Sequence, residues 1–354
     1  MTDTDIVKQY LRRGFGSGLA LFKANLKNAR FVSVNLSGAN LTQANLSGAN
    51  FSESNLKGAI FTDANLDGTI FNSTNLWGAV MNGVDLSKAN LIGAILIGAY
   101  LEKAKLAGLD LTETNLTGAH MAGANLQRAD LTEVHLKYTN LQGANFTGAK
   151  LARANISQSS KVTLDRAIFR KAIMTEITLN GADLCETVFT GANLEGAILI
   201  NTNLGKTNFN DAVMTGANLV SSMISGAEFV SANLIVANLE HARADKLPVN
   251  MSNATLLGAI LSNAILDHAI MQNTVFDRAV LMNTSLRFAN LQGATFDGAN
   301  LENADLTGAD LTDASFRNAN LRNAVLDGAN LQGTTLTNAM FEHVSMKSAQ
   351  SKNS

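Results

Sequence analysis

The chain has 354 residues and a formal net charge of −2, and 46% of its residues are hydrophobic whereas only 16% are charged. This composition excludes an intrinsically disordered chain, which combines a high net charge with few apolar residues. The near-zero net charge argues against a nucleic-acid-binding protein, which normally carries a strongly basic face. A single cysteine, Cys185, excludes a framework of intramolecular disulfide bonds.

The first residues predict a short helix over residues 2–13. Four apolar residues would share one face of this helix: Ile6, Val7, Tyr10 and Leu11. Thr2 or Thr4 would cap its N-terminus, and Gly14 would end it. Because the end of a repeat array exposes unpaired backbone and an open core, we expect residues 1–20 to form a capping helix and a lead-in to the repeats that follow.

A secretion signal over residues 8–22 is the alternative interpretation of this segment. Asp3, Asp5 and the glycines argue against a signal, and Leu21 already fits the repeat that follows. The most apolar run, residues 91–101, is too short to cross a membrane. We therefore expect a cytoplasmic protein without a membrane span, with the periplasm and the thylakoid lumen as the alternatives.

From residue 21 to residue 346 the sequence consists of five-residue repeats such as ANLSG. The centre of each repeat is Leu, Phe, Ile or Met, and the residue two positions before it is nearly always small. A period of five fits neither a helix nor a plain strand. It fits a strand fragment of about three residues followed by a corner, with the centre and the small residue on the inner face.

Phenylalanines recur at intervals of twenty residues, which predicts four repeats per coil and a ladder of stacked rings in the core. Coils stacked about 4.8 Å apart would pair their backbone groups, and roughly sixteen coils would give a rod on the order of 75 Å long. The predicted core ladder contains Phe31, Phe51, Phe71, Phe169, Phe189, Phe209, Phe229, Phe276, Phe296 and Phe316.

The ANLSG and ADLTG repeats resemble those of the pentapeptide-repeat proteins, including cyanobacterial members, over nearly the whole chain. The resemblance implies an all-β fold, a right-handed quadrilateral parallel β-helix; the handedness comes from the resemblance alone. It favours a non-enzymatic scaffold that binds other proteins. Some members imitate B-form DNA and bind or protect DNA gyrase as C-terminally joined dimers, which is the alternative function.

Two breaks in the five-residue register predict loops at residues 157–163 and 240–250, between repeat blocks 21–156, 164–239 and 251–346. The breaks add three and two residues, which together restore the register and allow one rod. Pro248, the only proline, lies in the second loop, where a missing N–H is tolerated. Both loops are interpreted as insertions, with a hinge or recognition role as the alternative. The polar tail, residues 347–354, is expected to be disordered.

Large apolar residues also occupy repeat positions that should face solvent. The candidate interaction patch contains Ile60, Trp77, Val80, Ile97 and Tyr100. The alternative is that such residues simply suit strands. A second cluster follows the proline loop, which we expect to fold back over it: Ile260, Ile265, Ile270, Val275 and Val280.

The sequence has no motif for catalysis. It lacks a phosphate-binding glycine loop, histidines spaced for a metal and a Ser–His–Asp arrangement. We therefore predict no enzyme, no cofactor, no metal and no small-molecule substrate, and we expect an unidentified protein partner rather than nucleic acid. A homodimer through the C-terminal coil is a further hypothesis, because Phe341, Val344 and Met346 would lie uncovered there. The balance of acidic and basic residues argues against the gyrase alternative.

Overall fold

The computed structural model describes residues 2–156 and 162–350. The chain folds as two compact units, Met1–Ile173 and Met174–Ser354, called here the N-terminal unit and the C-terminal unit. Most of the first predicted loop, residues 157–161, lies outside the described residues. None of the described residues forms a helix with the length and apolar character needed to cross a bilayer.

Helix α1 spans Asp3–Arg12. Its N-cap is Thr2, whose hydroxyl accepts a hydrogen bond from the Asp5 N–H while the Asp5 carboxylate accepts one from the Thr2 N–H. The Thr2 hydroxyl also donates a hydrogen bond of 2.7 Å to the Asp5 carboxylate, and this bond lowers the pKa of Asp5. Past the C-terminus, Gly14 adopts a positive φ of 82° and its N–H donates to the carbonyl of Leu11.

Helix α1 contacts the first coil along a narrow line rather than through a broad face. Val7 is buried, and the Asp3 carboxylate accepts a hydrogen bond of 2.7 Å from the Asn25 N–H. Ile6 and Tyr10 are exposed, so the predicted four-residue apolar face does not pack as a whole. Successive residues of a helix point in directions about 100° apart, so a helix that buries Val7 leaves Ile6 more exposed.

The backbone of each unit is a parallel ladder with one bridge residue per repeat. Asn25 pairs with Asn45, and Asn45 pairs with Asn65, so a bridge joins residues twenty positions apart except across the two register breaks. The Leu26 N–H donates to the Asn45 carbonyl at 2.8 Å, and the Asn45 N–H donates to the Ala24 carbonyl at 2.9 Å. Four repeats therefore make one coil, and each unit is a β-helix solenoid built from isolated bridges at the residue before each centre.

The corners between repeats are β-turns. The Ala29 N–H donates to the Leu26 carbonyl at 3.1 Å, and Asn28, the third residue of this turn, has a φ of 55°. Glycine and asparagine often occupy this third position because both tolerate a positive φ. The recurring Gly or Asn two residues after each centre is thus explained by the turn.

The core of each unit contains the centres and the small residues two positions before them. Phe31, Phe51 and Phe71 stack with ring centroids 5.4 and 5.7 Å apart in the N-terminal unit. In the C-terminal unit the stacking distances are 4.7–4.9 Å, and the stacked pairs are Phe189–Phe209, Phe209–Phe229, Phe276–Phe296 and Phe296–Phe316. Phe169, which follows the first break, stacks on Phe146 at 4.7 Å within the N-terminal unit.

Some of the small inward-facing residues are Ser or Thr, and their hydroxyls are buried. The Thr74 hydroxyl donates to the carbonyl of Phe51 at 2.7 Å, and the Thr284 hydroxyl donates to that of Leu261 at 2.8 Å. Because a buried hydroxyl without a partner is costly, these bonds to the preceding coil make Ser and Thr acceptable in place of Ala.

Both register breaks leave the ladder continuous within their unit. Asn140 pairs with Thr163 across the first break, at an interval of 23 residues. At the second break Arg243 still pairs with Met223, and pairing resumes at Asn250. The Gly226 N–H donates to the Leu247 carbonyl at 3.1 Å, so the interruption between Ala244 and Leu247 is shorter than the predicted loop 240–250.

The second loop does not cover the isoleucine cluster as expected. Ile265 lines a small surface cavity together with Leu247 and Pro248, but Ile260 and Ile270 are exposed. So short an interruption of the ladder does not reach beyond its own corner. At the other end of the chain the ladder continues through Gln350, so residues 347–350 are ordered in a coil and residues 351–354 lie outside the described residues.

Candidate interaction surface

Glycines at successive corners of the N-terminal unit leave one edge of the solenoid without side chains. Gly58, Gly78, Gly98 and Gly118 follow one another at intervals of twenty, each with a φ between 60° and 67°. The residues on both sides of this edge are therefore not covered by a side chain at the corner itself. At these flanking positions Trp77 and Tyr100 are exposed, whereas Ile60, Val80 and Ile97 are half-buried.

Trp77 and Ile97 lie on one side of the glycine edge. The Trp77 side chain is 48% exposed, and a Cβ added at Gly98 would lie 3.8 Å from its indole Nε1, so the indole packs against the backbone of the next coil. The Lys57 ammonium lies 4.4 Å from the centroid of the Trp77 ring. This cation–π contact orients the indole and adds a positive charge to the surface.

Val80 and Tyr100 lie on the other side of the edge, in one bridge ladder with Ile60. Ile60 pairs with Val80, Val80 pairs with Tyr100, and Tyr100 pairs with His120. The ring of Tyr100, which is 42% exposed, stacks on the imidazole of His120 at 4.8 Å with an angle of 5° between the planes. The stack restricts the tyrosine to one orientation.

The five residues of the predicted patch flank one corner of the N-terminal unit: Ile60, Trp77, Val80, Ile97 and Tyr100. We call this surface the corner patch. Lys57 and His120 extend it at either end and were missed in the sequence because neither is apolar. The signal that could have found them is the interval of twenty, since each lies one coil from a patch residue.

No arrangement for metal chemistry accompanies the patch. Across residues 2–156 and 162–350, no group of three or more His, Cys, Asp or Glu side chains is placed to hold a metal ion. Cys185 is half-buried and forms no disulfide.

The family assignment follows from the repeats. The family model for pentapeptide repeats matches segments that together cover residues 21–160, 163–229 and 249–349. The chain belongs to the pentapeptide-repeat family. No curated protein matches it.

Solved pentapeptide-repeat structures are similar to this chain. HetL, involved in heterocyst differentiation regulation in the cyanobacterium Nostoc sp. strain PCC 7120, is 28% identical over 74% of this chain and 97% of its own, with a TM-score of 0.30. Rfr23 from the cyanobacterium Cyanothece 51142 is 28% identical over 45% of this chain and 90% of its own, with a TM-score of 0.13. QnrB1, a plasmid-mediated fluoroquinolone resistance protein, is 17% identical over 57% of this chain and 91% of its own, with a TM-score of 0.24. All three TM-scores are below 0.5, so the assignment rests on the repeat match and on the bridge ladder.

The two units of this pentapeptide-repeat protein carry opposite charges. The N-terminal unit has 18 Lys and Arg against 12 Asp and Glu, a net charge of +6, and the C-terminal unit has 9 against 17, a net charge of −8. The net charge of the whole chain conceals this difference. Because salt screens exposed charges over about 10 Å, the surface potential of each unit is set by the charges of that unit.

Some charged side chains of the N-terminal unit form ion pairs with a residue of the adjacent coil. The Lys105 ammonium lies 3.2 Å from the Asp85 carboxylate, and the Lys150 ammonium lies 2.9 Å from the Asp130 carboxylate. The hydrogen bond from the Ser87 hydroxyl, aided by Lys105, lowers the pKa of Asp85. The two lysine side chains are more than half exposed, so each pair contributes little to stability.

Two exposed apolar residues of the C-terminal unit occupy the turn position that favours glycine. Val236 has a φ of 49° and is 58% exposed, and Phe288 has a φ of 56°. The Phe288 ring stacks on the imidazole of His268 at 5.3 Å. Neither was singled out in the sequence, although a large apolar residue two positions after a centre was a detectable departure from the repeat.

Proposed function

We propose that this protein is a non-enzymatic scaffold that binds another protein through the corner patch. The observation that carries the proposal is the joint exposure of Trp77 and Tyr100 on either side of a bare glycine edge. Trp and Tyr are the residues most often responsible for binding energy at interfaces. Exposed apolar surface of this kind is typical of interaction sites.

The β-helix supports this function by holding the patch rigid. The backbone N–H and carbonyl of Val80 and of Tyr100 are both hydrogen-bonded to the preceding coil. Trp77 is restrained by a cation contact and Tyr100 by a ring contact. A partner that binds such a surface loses little free energy in ordering it. The patch is therefore suited to recognition without a conformational change.

The test is the double variant Trp77→Ser/Tyr100→Ser. Both side chains are about half exposed, so we expect the free energy of unfolding to change by less than about 1 kcal/mol, while partner binding weakens at least about tenfold. Phe288→Ser is the matched control, since it removes an exposed aromatic ring from the other unit. Equal binding by the wild type and both variants would remove the corner patch as the site.

A second candidate function is the binding or protection of DNA gyrase through imitation of DNA. The observation that favours it is the net charge of −8 on the C-terminal unit. A negatively charged surface is what a DNA-binding groove attracts. The full chain, added to a gyrase supercoiling reaction, would then change the extent of supercoiling, and an unchanged product distribution would exclude this function.

We also infer the finer features of the fold. The solenoid is right-handed with about sixteen coils, and α1 acts as a cap, supported by the burial of Val7 and the Asp3–Asn25 hydrogen bond.

The homodimer hypothesis is supported by the exposure of Phe341 and Met346 at positions that are buried in interior coils. Light scattering tests it, and a monomeric mass would contradict it.

A further inference from the structure

The most exposed large apolar side chain that the structure describes is Phe15, at 64%. Phe22 is 53% exposed, and Ile6 and Tyr10 on α1 are also exposed. None of the four belongs to the corner patch, and none contributes to the core of the solenoid. Their exposure therefore requires an explanation of its own.

These four residues form neighbouring parts of one end of the N-terminal unit. Ile6 and Phe22 line the same shallow depression beside the buried Val7. The Phe15 N–H donates to the Tyr10 carbonyl at 3.1 Å, which holds the segment after α1 against the end of the helix. Ile6 and Tyr10 are four residues apart and lie on one face of α1.

The same end of the chain is strongly basic. Residues 6–30 contain no Asp or Glu and six exposed basic residues: Lys8, Arg12, Arg13, Lys23, Lys27 and Arg30. None of the six forms an ion pair with a carboxylate within the described part of the chain. The Lys23 ammonium lies 5.0 Å from the centroid of the Phe22 ring, so charge and aromatic surface occur together.

We propose that this N-terminal surface docks the protein on an anionic lipid bilayer. The N-terminal surface comprises Ile6, Tyr10, Phe15, Phe22 and the basic residues Lys8, Arg12, Arg13, Lys23 and Lys27.

Two properties favour a bilayer over an acidic protein as the occupant. The aromatic residues project from a helix, a connecting segment and the first coil, and the depression beside Ile6 and Phe22 is shallow, which suits a flat bilayer better than an inserted peptide. Aromatic rings at the level of lipid headgroups, surrounded by Lys and Arg, are the usual composition of interfacial membrane anchors.

Because the two units carry opposite net charges, the proposed docking on an anionic bilayer is specific to the N-terminal unit. A net charge of −8 opposes adsorption of the C-terminal unit to an anionic surface. Any attraction must therefore come from the N-terminal unit, where the basic residues outnumber the acidic ones. The net charge of the whole chain would predict no attraction at all.

The test is co-sedimentation of the full chain with vesicles of phosphatidylcholine, with and without phosphatidylglycerol. We expect binding to the anionic vesicles only, falling as the salt concentration rises. Lys23→Glu/Lys27→Glu and, separately, Phe15→Ser/Phe22→Ser should each lower the partition coefficient by roughly tenfold or more, since charge attraction and apolar insertion contribute independently.

Trp77→Ser/Tyr100→Ser is the matched control, because it removes two exposed aromatic residues of the same unit but leaves the N-terminal surface intact. It should bind vesicles as the wild type does, which separates lipid docking from the function proposed for the corner patch. Far-UV circular dichroism of each variant establishes that the fold is retained. The proposal would be overturned if the wild type stayed in the supernatant with anionic vesicles. It would also be overturned if both N-terminal variants bound these vesicles as well as the wild type does.

Discussion

The N-terminal unit and the C-terminal unit repeat the same coil but differ in what the coil carries outside. Both have one bridge residue per repeat, and their apolar centres are buried except for Leu336, Phe341 and Met346 in the C-terminal unit. Their net charges are +6 and −8, and the corner patch occurs in the first whereas the strained Val236 occurs in the second. The inner positions of the repeat therefore determine the fold, while the outer positions are free to determine function.

Substitution at a core centre should have the largest effect, and the same effect in both units. Leu126→Ala and Leu301→Ala each remove a fully buried side chain, so each should lower the free energy of unfolding by about 2–5 kcal/mol. Leu126→Asp should cost more, because it buries a charge without a partner. Denaturant unfolding of the variants measures the cost.

Because each coil contacts only its neighbours, Leu126→Asp should reduce hydrogen-exchange protection first in the coils on either side of residue 126. A uniform loss of protection along the whole N-terminal unit would contradict this. If Leu→Ala lowered the free energy of unfolding several times more in one unit than in the other, the two cores would not be equivalent.

Relief of strain at Val236 should have a smaller, stabilising effect. A β-branched residue at a φ of 49° is strained, and Val236→Gly should raise the free energy of unfolding by about 1 kcal/mol. Gly216 occupies the same turn position one coil earlier, with a φ of 66° and open space where a Cβ would lie. Gly216→Val should therefore destabilise by about the same amount, and an equal sign for the two changes would argue against strain as the cause.

The smallest expected effect is a difference between the units in how much stability each loses at low pH. In the folded N-terminal unit the pKa of Asp85 lies below its ordinary value of 3.8, chiefly through the Ser87 hydroxyl. Burial, the largest single influence on Asp130, raises its pKa, but hydrogen bonds from Thr132 and Lys150 outweigh it and the net change is downward. A lowered folded pKa means that stability is present above pH 3.8 and is lost as the pH falls through the folded value.

The C-terminal unit should respond less to acid. Protonation there also relieves the repulsion within a net charge of −8, which offsets the loss at Asp327, whose pKa is lowered by the Ser345 hydroxyl. Hydrogen exchange as a function of pH should show the N-terminal unit opening first below pH 4 or so. Asp85→Asn should weaken this acid dependence, and an unchanged profile would show that Asp85 plays no part in it.

The core could be predicted from the sequence because a strict five-residue period leaves one arrangement for its apolar residues. The members of the corner patch followed from the same arithmetic, since Trp77 and Ile97, or Val80 and Tyr100, are twenty residues apart. Lys57 belonged to the same column and was missed because only apolar residues were considered.

Other features depend on contacts that the repeat does not encode. The period of α1 defines an apolar face but not which residue meets the coil, and only Val7 is buried. The irregular sequence around Arg243 predicts a long loop, yet backbone hydrogen bonds keep both Arg243 and Leu247 in the ladder. The opposite charges of the units were present in the sequence but required a boundary between the units to become visible.

The most direct test of the central claim, that outer residues of a fixed solenoid determine function, is quantitative capture of partners from the native host. The wild-type chain would be compared with Trp77→Ser/Tyr100→Ser and with the control Phe288→Ser. We expect one protein to be captured in equal amounts by the wild type and the control. The double variant should capture about tenfold less of it or lower still, because two residues that contribute binding energy are removed. Recovery of the same proteins in the same amounts by all three chains would contradict it.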